Sequence, residues 1–230
     1  MGAGYILMIV IALVSFLVQW RFKKKFKKYS EMPLSSGLSG RDVAEKMLRD
    51  SGVYDVNIIS AEGQLSDHYN PANKTVNLSP EVYHGRSVAA AAVASHEVGH
   101  AVQHSKAYGW LKFRSAVVPA ANVASKFVQW TLMIGVLLLI FSGNPLVLLV
   151  GVVALAIVTF FTFITLPVEF DASKRALAWL QTNKGIMQTS VEHTQAKDAL
   201  WWAAMTYVVA ALGSLATLVY YASMLVNRRD

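Results

Sequence analysis

The five residues His96-Glu97-Val98-Gly99-His100 put two imidazoles and a carboxylate within little more than one helical turn. Residues four apart share a face of a helix, so both imidazoles can reach one metal ion. Zinc is the ion this pattern suits. The chain has six histidines and no cysteine, so a thiolate site is excluded. Glu97 lies beside the pair, where a carboxylate can take a proton from a water acidified by the metal. Gly99 leaves room for an approaching backbone or substrate. A helix that merely carries two ordinary histidines is the competing reading, and it gives Glu97 no task.

A catalytic zinc takes three protein ligands and keeps a further position for water. After His100 the chain offers Glu169, Glu192, Asp171 and Asp198, besides His104 and His193. Glu169 is the best placed, in Leu166-Pro167-Val168-Glu169-Phe170-Asp171-Ala172 at the end of an apolar run. Pro167 there reads as a break or a new helical start. The plainer reading of Glu169 is a carboxylate near a helix N-terminus, favourable with the dipole. His104 continues the face of His96 and His100, but a turn further along, and reads as a supporting or solvent-facing residue. An oxyanion would need hydrogen-bond donors, and His68, Tyr69, His193 and Arg175 can all supply them. For each of these a turn, rim or surface position is an equal reading.

The elements that must hold these residues follow from the patterning. Of the 230 residues, 54% are hydrophobic, above the roughly 45–50% of a soluble domain. The excess is gathered in long runs. Gly2 to Trp20, Pro145 to Leu166 and Ala199 to Val226 are each long enough for a bilayer core of about 30 Å, and Phe127 to Gly143 sits at the short end. The fold class is therefore mainly α, polytopic, with about four transmembrane helices. The expected segments are an anchor (1–20), a polar domain (21–126), a membrane hairpin (127–168), a helical segment bearing Glu169 (169–198) and a C-terminal transmembrane helix (199–230). The weaker hairpin alternatively re-enters the membrane without crossing it.

The polar domain is expected to be a small α+β unit. Ser39 can cap a helix over Arg41 to Asp50. Val53 to Ile59, Gln64 to Tyr69 and Thr75 to Leu78 are short and β-prone, with a turn at Asn70-Pro71-Ala72-Asn73. The alanine-rich stretch from Val88 runs into the His/Glu cluster as one helix of about 87–106, its small side chains suited to close packing. Ser35 to Gly40 reads as a flexible tether.

Charge gives the chain a side. The net charge is +7, and six of the 21 basic residues lie between Arg21 and Lys28, directly after the first apolar run. Such clusters contact anionic lipid headgroups at about 1 kcal/mol per charge, so nucleic acid is not the expected partner. No charge precedes the first run, which reads as a retained anchor and not a cleaved signal. With Arg21 to Lys126 and Glu169 to Asp198 in the cytosol, 19 Lys and Arg lie inside, against Arg228 and Arg229 outside.

Four blocks then resemble a known family: Asp67-His68-Tyr69-Asn70-Pro71, Ala94 to Gln103, Leu166 to Ser173, and Ala203-Ala204-Met205-Thr206-Tyr207-Val208. They look like the bacterial YugP-type membrane zinc metallopeptidases, related to the HtpX class. The resemblance covers essentially the whole chain. It implies a zincin-like domain with Zn2+ on His96, His100 and Glu169, Glu97 as general base, and a multi-pass plasma-membrane protein whose site faces the cytoplasm. In the HtpX pattern an Asp follows the Glu ligand by four positions. Here that position is Ser173, and Asp171 lies at two, so the group that orients a ligand imidazole is open between them. The expected activity is endoproteolysis of membrane-associated or misfolded proteins. The alternative is a zinc-binding membrane scaffold or adaptor without catalysis. A transporter is disfavoured, because the spans lack mid-membrane charge. A small polar domain is compatible with self-association or a membrane partner protein.

Overall fold

The computed structural model describes residues 2–63 and 66–226. It is mostly helical: α1 (Gly2–Ser30), α2 (Gly40–Asp50), α3 (Pro80–Tyr83), α4 (Val88–Ser105), α5 (Gly109–Ser142), α6 (Leu146–Thr182) and α7 (Ser190–Val226). Between α2 and α3 lie β1 (Asn57–Ser60), β2 (His68–Asn70) and β3 (Thr75–Leu78). Four helices, over Ile6–Ser30, Gly109–Ser142, Leu146–Thr182 and Ser190–Val226, are long and apolar enough to cross a membrane. The protein is thus mainly α and multi-pass, with one short sheet.

Contacts divide the chain into two compact units, one of Met1–Val18, Lys112–Leu166 and Thr206–Asp230, the other of Gln19–Leu111 and Pro167–Met205. The long helices each contribute to both. In the first unit, Leu132, Leu148 and Leu155 are buried together with Leu218 and Tyr221 packed against them. Gly135 permits the closest approach there, since a Cβ on it would stand 2.5 Å from the Leu148 backbone. Thr159 and Ser214 join α6 to α7 by a hydroxyl pair at 2.6 Å. Large apolar side chains such as Ile140, Phe141, Leu146 and Phe160 remain exposed, as a lipid-facing surface requires.

The second unit holds the polar residues. Ser39 caps α2 through a reciprocal capping box with Asp42. Val43, Ala44, Met47 and Leu48 form the buried face of that helix. The sheet has the order β1-β3-β2, with β1 parallel and β2 antiparallel to β3. Asn70 to Lys74 make the expected hairpin turn, with Asn70 Oδ1 accepting from the Ala72 N–H. Gln64 and Leu65, the start of the expected second strand, lie outside the described residues, as does the Asn227–Asp230 end with its two arginines.

Helix α4 runs through the centre of this unit. Ala89, Ala90, Ala91, Ala92 and Ala94 are all buried. Ala90 and Ala94 pack with the sheet residues Val76 and Leu78, while Ala91 and Ala92 pack with Ala176 and Leu180 of α6. Alanine is used here for its small size on every side, not only for helix propensity.

Two expectations are corrected. Ser35 to Gly40 is no loose tether: the Ser35 N–H donates to Glu192 at 2.7 Å, the Gly37 carbonyl accepts from Arg86, and Pro33 bridges Ser87. Its backbone is held by partners distant in the sequence. Pro167 likewise neither breaks nor starts a helix, because α6 continues through it from Leu146 to Thr182. Proline removes one backbone donor, a loss that long packed helices tolerate. One continuous helix, α6, thus carries both the apolar run and Glu169.

Candidate metal centre

α4 and α6 supply the three side chains expected as ligands. His96 and His100 leave α4 one turn apart, and their rings meet edge to face with centroids 4.8 Å apart. Glu169 reaches them from α6, with Oε2 3.3 Å from His96 Nε2 and 3.6 Å from His100 Nε2. Potential ligand atoms of all three lie within 4.8 Å of one another. Among the described residues this is the group of histidine and carboxylate side chains that could hold a metal ion. The donor set, two imidazole nitrogens and one carboxylate oxygen, fits a zinc site that keeps a position open for water.

The close approach of the two helices comes from Gly99. A Cβ at that position would stand 2.7 Å from the Ala172 carbonyl oxygen. The room that glycine leaves is therefore taken by the backbone of α6. Ala172 and Ala176 are fully buried, so α6 offers the same small-residue surface in return.

Each imidazole has its other nitrogen occupied. His96 Nδ1 lies 3.1 Å from Ser173 Oγ, and His100 Nδ1 lies 3.0 Å from Gln103 Oε1. Second contacts of this kind orient ligand rings. The position four after Glu169, Ser173, thus faces His96. Asp171 faces the imidazoles only through Gln103, whose Nε2 donates to it at 2.8 Å. Sequence reasoning passed over Gln103; the signal was a lone amide on the His100 side of an alanine-rich helix.

Burial pushes the Glu97 carboxyl up, against the pull of His96 and His100. For His100, burial alone lowers the imidazole, but the Glu169 carboxylate and Glu97 outweigh it and lift the group to about 9.

The remaining candidates have other partners. Glu192 accepts from the Ser35 and Thr189 N–H groups. Asp198 accepts from Tyr29 Oη at 2.6 Å and pairs with Lys25 at 2.8 Å. His193 Nε2 lies 3.3 Å from the Leu177 carbonyl, and His68 Nδ1 lies 2.7 Å from the Ser66 carbonyl. Tyr69 Oη meets His104 Nδ1 at 2.7 Å, tying β2 to the turn of α4 beyond His100. Arg175 is bound to Asp171 at 2.5 Å and lies over the Tyr108 ring.

Comparison with known proteins places the chain in a family. A family model described as "Putative neutral zinc metallopeptidase" matches residues 4–226. The chain is 40% identical over 227 residues, 98% of both sequences, to "Putative membrane protease YugP" of Bacillus subtilis (strain 168). No solved structure matches it. The family match spans nearly the whole chain, and the chain belongs to the family described as "Putative neutral zinc metallopeptidase".

Proposed function

We propose that the protein is a membrane zinc endopeptidase that hydrolyses peptide bonds of membrane-associated or misfolded proteins. The observation that carries this is the convergence of His96, His100 and Glu169 beside a buried Glu97. A zinc ion on these ligands supplies polarisation of the scissile carbonyl and acidification of the attacking water. Glu97 accepts the proton of that water and returns it to the leaving amine. Burial raises its affinity for protons above that of an ordinary carboxylate, the direction that favours a group acting as a base.

β2 supports a mode of substrate binding. It is an edge strand of the sheet, and Tyr69 fixes it to α4 next to the ligand turn. An extended peptide added along His68–Asn70 would be read through its backbone, which tolerates many sequences. The Bacillus subtilis relative and the four apolar helices support a bacterial plasma membrane, and the distribution of Lys and Arg favours the site on the cytoplasmic side.

The test is a purified Glu97→Gln protein. It should keep zinc and lose about 10²–10⁴-fold in cleavage of an unfolded polypeptide. Full activity with zinc retained would sink the reading.

A further inference from the structure

Gln103 is fully buried on α4, three positions after His100. Its Nε2 donates to the Val168 carbonyl at 2.8 Å and to Asp171 Oδ2 at 2.8 Å, both on α6. Its Oε1 lies 3.0 Å from His100 Nδ1. A carboxamide has donors at one end and only an acceptor at the other. Since Val168 and Asp171 both present oxygens, turning the amide round would set its oxygen against two acceptors in a buried site. The end that faces His100 is therefore oxygen, and the contact requires a proton on His100 Nδ1. Nε2, on the Glu169 side of the ring, is left as the ligand atom.

The clamp is itself held. Asp171 receives Arg175 Nε at 2.5 Å, and the guanidinium lies 5.7 Å from the centre of the Tyr108 ring. The equivalent contact on His96 has no such direction, because the Ser173 hydroxyl can either donate or accept.

We infer that Gln103, its amide fixed by Val168 and Asp171, is a positioning residue that locks His100 with its proton on Nδ1 and aims Nε2 at the metal. The inference rests on the reading of His100 as a zinc ligand. It assigns Asp171 an indirect part: the carboxylate sets an amide, and the amide sets the imidazole.

The experiment uses the full chain in detergent, with zinc affinity measured by chelator competition and ring protons of ¹⁵N-labelled histidine read by NMR. Gln103→Leu should weaken zinc binding about 10–100-fold, the usual effect of losing an outer hydrogen-bond partner. Asp171→Leu, which removes one of the two oxygens that fix the amide, should weaken zinc binding in the same direction. In the zinc-loaded wild type His100 should carry its ring proton on Nδ1. Wild-type zinc affinity in Gln103→Leu, or a His100 proton on Nε2 with the metal on Nδ1, would overturn the inference. If Gln103→Leu fails to fold, the wild-type ring proton decides alone. A wild type that takes up no zinc would remove the reading of the site itself, a different failure.

Discussion

Gly99 on α4 faces the carbonyl of Ala172 on α6 with no space for a side chain between them. The backbone contact lies one position before His100 and three after Glu169, so it sets the separation of candidate ligands drawn from two helices. Gly99→Ala should push the helices apart. Forced overpacking costs about 1–3 kcal/mol, and here the displaced atom is backbone, which cannot swing aside. Thermal melting and zinc content should fall together. A variant with normal zinc uptake would show that the ligands do not depend on this contact.

Glu169 and Glu192 are the two buried glutamates beyond α4, and they should separate cleanly. Metal analysis of Glu169→Ala should show zinc lost. Glu192→Ala should retain zinc while melting lower, since it breaks a capping box with Thr189 and the bond to Ser35, a loss of about 1 kcal/mol for the cap. Zinc lost only from the Glu192 variant would refute the assignment.

Zinc binding should depend steeply on pH. In the metal-free protein His100 holds its proton up to about 9, above its ordinary 6.5. Zinc must displace the Nε2 proton of that imidazolium and leave the one on Nδ1, so apparent affinity should rise about tenfold per pH unit between 7 and 9 and then level off. The same shift makes a sign prediction for the zinc-free chain. The stabilisation from the His100 proton is fully present below pH 6.5 and disappears as pH rises through about 9. Calorimetry of chelator-treated protein across that range would test it; a flat profile contradicts the pairing with Glu169.

Topology can be tested directly because the chain has no cysteine. A single Lys74→Cys, in the exposed turn before β3, should react with an impermeant thiol reagent only after the cell membrane is opened. Asn144→Cys, exposed between α5 and α6, should react in intact cells. The reverse pattern would turn the orientation inside out.

The residues of the centre were largely readable because their chemistry is local. Four-residue spacing puts His96 and His100 on one face, and the apolar runs announced the long helices. What stayed hidden was the consequence of packing. Pro167 looked like a helix boundary, since propensity says nothing of the neighbours that hold α6 together. Ser35 to Gly40 looked flexible because its composition is that of a linker, yet Glu192 and Arg86 from distant parts of the chain fix it. Gln103 carried no pattern of its own. Its part depends on two oxygens of α6 that are remote in sequence and adjacent only after folding.

The placement of Glu169 on α6 also bears on chain entropy. His96 and Glu169 stand 73 positions apart, so an ion shared between them closes a loop that contains all of α5 and the apolar part of α6. For a fully flexible chain, closing such a loop is worth about 4 kcal/mol. Helices held in a bilayer remain helices when a polar unit unfolds, and they shorten the freely moving part of that loop. The ion's contribution to stability should therefore be well below the flexible-chain figure. An ion held by His96, His100 and Glu169 would act mainly to fasten α4 to α6.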